Sequence, residues 1–93
     1  MAELTIDDFT PWVNGTCDVT APDGKVTMTL VAVQPLDHAQ RDGGGFRLEF
    51  EGPASPLLAQ STMTVSGPAG SHEIFVVPIA QDARASRYEA IFY

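Results

Sequence analysis

One cysteine, Cys17, is all this sequence has, so no intrachain disulfide can form. A chain of 93 residues must therefore hold together by a single core, with no covalent staple of the kind small secreted domains use. Cations are also scarce: five Lys and Arg stand against twelve Asp and Glu, a formal net charge of -7. Lys25, Arg41, Arg47, Arg84 and Arg87 are scattered along the chain. Nucleic acid and anionic lipid are bound by clustered cations, so neither is expected as a partner. Long hydrophobic runs are missing too. The longest, IFVVPIA, is of strand length, far below the roughly 20 residues of a spanning helix. The opening MAELTIDDFT has neither a basic region nor an apolar run behind it, so no signal peptide is read. Cytoplasmic synthesis is the expectation, with export by a dedicated machine or within an assembly compatible with it.

What is present is alternation. Cys17, Val19 and Ala21 fall on one face of TCDVTA, and Val26, Met28 and Leu30 on one face of the next run. The PDG at 22–24 between them supplies a proline that presets φ and a glycine that accepts positive φ, which makes residues 16–34 a hairpin. FRLEFE puts Phe46, Leu48 and Phe50 inward, and STMTVSG does the same with Met63 and Val65. HEIFVVPIA and RYEAIFY complete the set. About six short strands in sequence predict an all-β domain, an antiparallel meander forming a small barrel or sandwich. Ahead of them, LTIDDFTPWV carries a helix-start signal, with Thr5 as cap and Asp8 three residues on. Pro11 limits this helix to one or two turns. Ile6, Phe9 and Val13 form its apolar stripe, and Trp12 lies off it, capping the edge of the core.

Three segments together carry a resemblance: LTIDDFTPWVNGTCDV, FRLEFEGPASPLLAQSTMTV and IFVVPIAQDARASRYEAIFY. They resemble a family of small uncharacterised bacterial proteins, the domain of unknown function numbered 6916. Its pattern has a G-P-x-x-P-x-L-x-Q loop and a terminal Y-E-A-x-F, matched by Gly52, Pro53, Pro56, Leu58 and Gln60, then Tyr88, Glu89, Ala90 and Phe92. The sequence departs from the pattern at Ala59, where relatives often have proline, and at STMTV, where they have a tyrosine-containing strand. The resemblance implies a shared fold and, since the family has no established activity, supplies no catalytic residues. Through relatives encoded near phage-tail-collar-like proteins, it implies a structural or assembly role.

No constellation of catalytic residues emerges from the residues themselves. Ser71, His72 and Glu73 are strand neighbours that point to alternate faces, so they cannot act as nucleophile and base, and His72 reads as a rim histidine. Asp37, His38 and Asp42 lie on the polar, glycine-ended loop 35–45, but their number and spacing match neither zinc nor calcium sites. The tract at 43–45 has no lysine or helix behind it to make a phosphate cradle. Glu49 and Glu51 share a face with Arg47, which gives cross-strand charge pairing as the simpler reading of that carboxylate pair. Cys17 reads as a small buried apolar residue. No catalytic, cofactor or metal residue is therefore assigned.

The stretch EGPASPLLAQ reads as a stiff corner plug with Leu57 and Leu58 turned inward over an open end of the sheet, and alternatively as a docking loop that presents leucine to a partner. The remaining signal is a surplus of apolar residues on second faces, at Val31, Val33, Phe75, Val77, Ile79, Ile91 and Tyr93. A half-exposed antiparallel strand should alternate, and these do not. With Leu57 and Leu58 they form the candidate interface, to a protein partner or to a second copy of this chain. The expected function is a non-enzymatic structural or interaction module. The alternative is a small-ligand-binding barrel with Trp12, His38 and the 35–45 loop at its mouth.

Overall fold

The computed structural model describes residues 6–36, 45–67 and 70–92. The cap Thr5, the His38 part of the long loop and Tyr93 lie outside the described residues. A helical turn, α1 (Ile6–Phe9), runs into a 3₁₀ turn (Thr10–Trp12). Six strands follow: β1 (Thr16–Ala21), β2 (Gly24–Leu36), β3 (Gly45–Pro53), β4 (Ser61–Gly67), β5 (Gly70–Gln81) and β6 (Ala85–Phe92).

The strands close into a barrel in the order β1-β2-β3-β6-β5-β4, every neighbouring pair antiparallel. The chain thus makes two three-stranded meanders, β1-β2-β3 and β4-β5-β6. They join where β3 meets β6 and where β4 meets β1. The link between the halves, residues 54–60, carries the chain across one end of the barrel.

Alternation fills the inside. Cys17, Val19, Met28, Leu30, Phe46, Leu48, Phe50, Met63, Val65, Ile74, Val76, Tyr88 and Ala90 are all buried in one cluster. At roughly 1.5–3 kcal/mol for each large apolar side chain taken out of water, this cluster is what stands in for the absent disulfides.

Two bulges interrupt the ladders, one between Leu30 and Ala32, the other between Pro78 and Ala80. Each inserts one residue, Val31 or Ile79, and inverts the alternation beyond it. Val33 therefore pairs with Leu48 and packs against the core from inside. The sequence reading placed Val33 on a second, outward face, and the bulge corrects it. Val31, the inserted residue, is half-buried.

Each end of the barrel is plugged. At one end Pro11 tightens the helix into the 3₁₀ turn, whose three residues per turn stack i on i+3. Phe9 and Trp12 therefore share a side, with ring centroids 5.3 Å apart, and both are buried. Trp12 is thus a core residue, not an edge cap. Its ring lies on Gly67, where an added Cβ would stand 2.7 Å from it. Phe9 also meets Phe46, His72 and Phe92.

The other end is closed by the link 54–60. Leu58 is buried there, its N–H donating to the Tyr88 hydroxyl at 3.0 Å. The Ala59 N–H donates to Asp23 Oδ2 at 3.1 Å, and the Ala54 carbonyl accepts from Gln81 Nε2 and Ser86 Oγ. The link is a plug, and Leu58 is taken up by the fold. Only its neighbour Leu57 stands open to a partner, at 42% exposure.

Candidate functional site

The wall formed by β3, β6 and β5 carries two features on its outer side. The first is an ion ladder. Arg47-Leu48-Glu49 on β3 and Arg87-Tyr88-Glu89 on β6 share the pattern R-x-E, and antiparallel pairing sets Glu49 opposite Glu89 and Glu51 opposite Arg87. Each arginine then lies diagonal to the other strand's glutamate. Arg47 reaches Glu49 at 3.0 Å and Glu89 at 2.7 Å, and Arg87 reaches Glu49 at 2.7 Å and Glu51 at 2.9 Å. Arg47 also donates to Gln34 Oε1 on β2 at 2.7 Å. The hydrogen bond from Arg47 holds the Glu49 carboxyl below its ordinary range. Cross-strand charge pairing for Arg47, Glu49 and Glu51 is what the structure shows. The β6 partners are what sequence reasoning missed, though the repeated R-x-E triplet was a signal for them.

The second feature is apolar. Along β5, Ile74 and Val76 point into the barrel, which leaves Phe75 and Val77 outward. Phe75 is 55% exposed and Ile79, which stands at the bulge, is 47% exposed. Ile91 on β6, beyond the ladder, is 39% exposed. Phe75, Val77 and Ile91 line a groove of about 240 Å³, with the carboxylate-bearing Glu89 on its fourth side. Of the interface residues expected from sequence, the fold brings Phe75, Val77, Ile79 and Ile91 to one wall. It withdraws Val33 and Leu58, and leaves Val31 half-buried and Leu57 on the link.

Among the described residues the remaining candidates stand apart from one another. His72 points inward, half-buried, with its ring 5.9 Å from Trp12 and 5.7 Å from Phe9. Ser71 faces away from it and hydrogen-bonds Ser66 across the β4–β5 ladder. Burial, with Asp18 beside it, pushes the Cys17 thiol up to about 11, which leaves almost no thiolate at neutral pH. A wider concavity of about 450 Å³ lies at the β5–β6 turn, between Glu51, Gln81, Asp82, Arg84 and Arg87. There the Asp82 carboxylate accepts the N–H groups of Arg84 and Ala85, which bind it into the turn and lower its pKa. Among the described residues no group of three His, Cys, Asp or Glu could hold a metal ion, and no helix is long and apolar enough to cross a membrane.

A family model described as a domain of unknown function (DUF6916) matches residues 4–92 of the chain. No curated protein and no solved structure matches it.

Proposed function

The chain belongs to the family described as a domain of unknown function (DUF6916), and from its outer wall we propose that it is a non-enzymatic protein-interaction module. The observation that carries this reading is the exposure of Phe75, Ile79 and Ile91 on one side of a barrel whose inside is already filled. A lone exposed apolar residue needs no explanation, but a contiguous strip edged by charge is the usual mark of a protein-binding surface. Each of these side chains gains about 1–2 kcal/mol when a partner removes its remaining surface from water. Within this reading, a structural place in a phage-tail-like or surface assembly is the form the family resemblance suggests. A barrel that holds a small ligand draws less support, because Met28, Leu30, Phe50, Leu58 and Tyr88 already occupy the interior.

The test combines light scattering with site-specific crosslinking. A photo-crosslinking residue is placed at Phe75, at Ile79 and, as control, at the exposed Thr27 on β2. Protein adducts, to a second copy or to another chain, are expected from Phe75 and Ile79 but not from Thr27. Equal yields from all three positions, together with a monomer at every concentration, would refute the reading.

A further inference from the structure

We infer that the β5–β6 wall takes a basic partner, a protein segment that seats an apolar side chain in the Phe75–Ile91 groove and sets lysine or arginine beside it. This rests on the reading of the wall as an interaction surface and says what that surface recognises. The argument is one of charge and area.

Four carboxylates and two guanidiniums share the outer side of the wall. Glu49, Glu89 and Glu51 are tied to Arg47 and Arg87, and Glu73 stands two residues before Phe75 on the same face of β5. Glu73 is exposed, and among the described residues it makes no ion pair. The strip therefore presents a surplus of two negative charges, on a chain whose formal net charge is -7. Arg47 does not offset this for an incoming anion, because its guanidinium already serves Glu49, Glu89 and Gln34. Acidic segments meet like charge here. Basic segments meet the unpaired carboxylate of Glu73, two residues along β5 from Phe75, and the aliphatic stem of lysine or arginine can lie along the apolar groove while its head reaches that carboxylate.

Area argues against a second copy as the occupant. The four apolar side chains leave open on the order of 300 Å², the low end of the largest patch on an ordinary monomer. A stable interface needs about 800 Å² per partner. Two copies would have to make up the difference by pressing together walls of the same surplus charge.

The probes are three peptides of equal length, titrated into the isotope-labelled full chain and followed by amide chemical shifts. One has a Phe-Leu pair flanked by lysines, the second has glutamates in place of the lysines, and the third has serines in place of the Phe-Leu pair. The first is expected to shift amides of residues 73–79 and 89–91 and to bind about tenfold tighter than either control. Its affinity should fall several-fold between low and high salt, as screening weakens charges at the surface. Phe75→Ser should abolish the shifts, and Glu73→Lys should cost several-fold while leaving the fold intact. Equal or better binding by the acidic peptide, shifts elsewhere on the barrel, or no shifts with any peptide would each overturn the inference. A dimer that forms through Phe75 in light scattering would also overturn it. That dimer would leave the interaction-module reading standing, so the two failures are distinguishable.

Discussion

The Tyr88 hydroxyl accepts the backbone N–H of Leu58 at 3.0 Å, deep in one end of the barrel. Two parts of the family-like pattern, the G-P-x-x-P-x-L-x-Q loop and the terminal Y-E-A-x-F, meet in this bond. The loop plugs the barrel, and the tyrosine of the last strand holds the plug. Gly52 belongs to the same arrangement, because a Cβ there would stand 3.2 Å from the Tyr88 ring and 3.3 Å from Met28.

Tyr88→Phe keeps the ring and removes the acceptor, leaving the buried Leu58 N–H without a partner. The expected loss is about 1–3 kcal/mol of stability. Leu58→Ala opens a cavity at the same site and should cost about 2–5 kcal/mol. Urea unfolding of both variants measures these losses.

Gly67→Ala places a methyl group where the Trp12 ring lies. The ring must move, at a cost of about 1–3 kcal/mol typical of an overpacked core. The check is twofold: a lower unfolding midpoint, and a tryptophan emission spectrum shifted to the red as the indole meets water.

The ion ladder gives the protein an acid-side dependence. The folded-state pKa of Glu49 lies below its ordinary value of 4.5. Its contribution to stability is therefore fully present above that ordinary value and is lost as pH falls through the lowered one. Glu49→Gln should cost on the order of 1 kcal/mol at neutral pH. The variant should then lose less stability than the parent between pH 5 and pH 3, in parallel urea titrations. Equal losses in the two proteins would place the acid sensitivity elsewhere.

Cys17, buried and with its thiol pushed up to about 11, should not react with a thiol reagent at pH 8 while the barrel is folded. The same reagent should label it within minutes in denaturant. Labelling of the native protein at the free-thiol rate would show that the β1–β4 side opens readily.

The exposed strip should contribute little to the fold. Phe75→Ser and Ile91→Ser are expected to change stability by less than about 1 kcal/mol, as outward substitutions do. Val76→Ser, one residue along and inside the barrel, should cost several times more. Comparable losses from Phe75→Ser and Val76→Ser would mean that Phe75 packs in the monomer.

Much of the fold was legible in the sequence because its signals are local. Period-two alternation names the inward residues of β1, β3, β4 and the first half of β2, and the PDG turn fixes the first hairpin. The proline-rich stretch 51–60 could be read as a corner because its stiffness lies in its own residues. The second-face surplus could not be resolved the same way. It looked like one phenomenon and is two: a bulge that turns Val33 inward, and a wall that leaves Phe75, Val77, Ile79 and Ile91 outside. Bulges depend on the partner strand, and a single strand does not record its partner. Trp12 was misplaced for a related reason. Its stripe was taken at 3.6 residues per turn, where Pro11 enforces a turn of three.

The sequence by itself determined an all-β chain with a filled core and an acidic balance of charge, because composition and periodicity are properties of each segment alone. Only the tertiary structure decided that β3 meets β6. That non-local pairing sets two R-x-E triplets across from each other as an ion ladder, and the β5–β6 pairing beside it brings Phe75 and Val77 next to Ile91. Residues 75 and 91 become neighbours through the register of the β5–β6 hairpin, which neither strand records by itself.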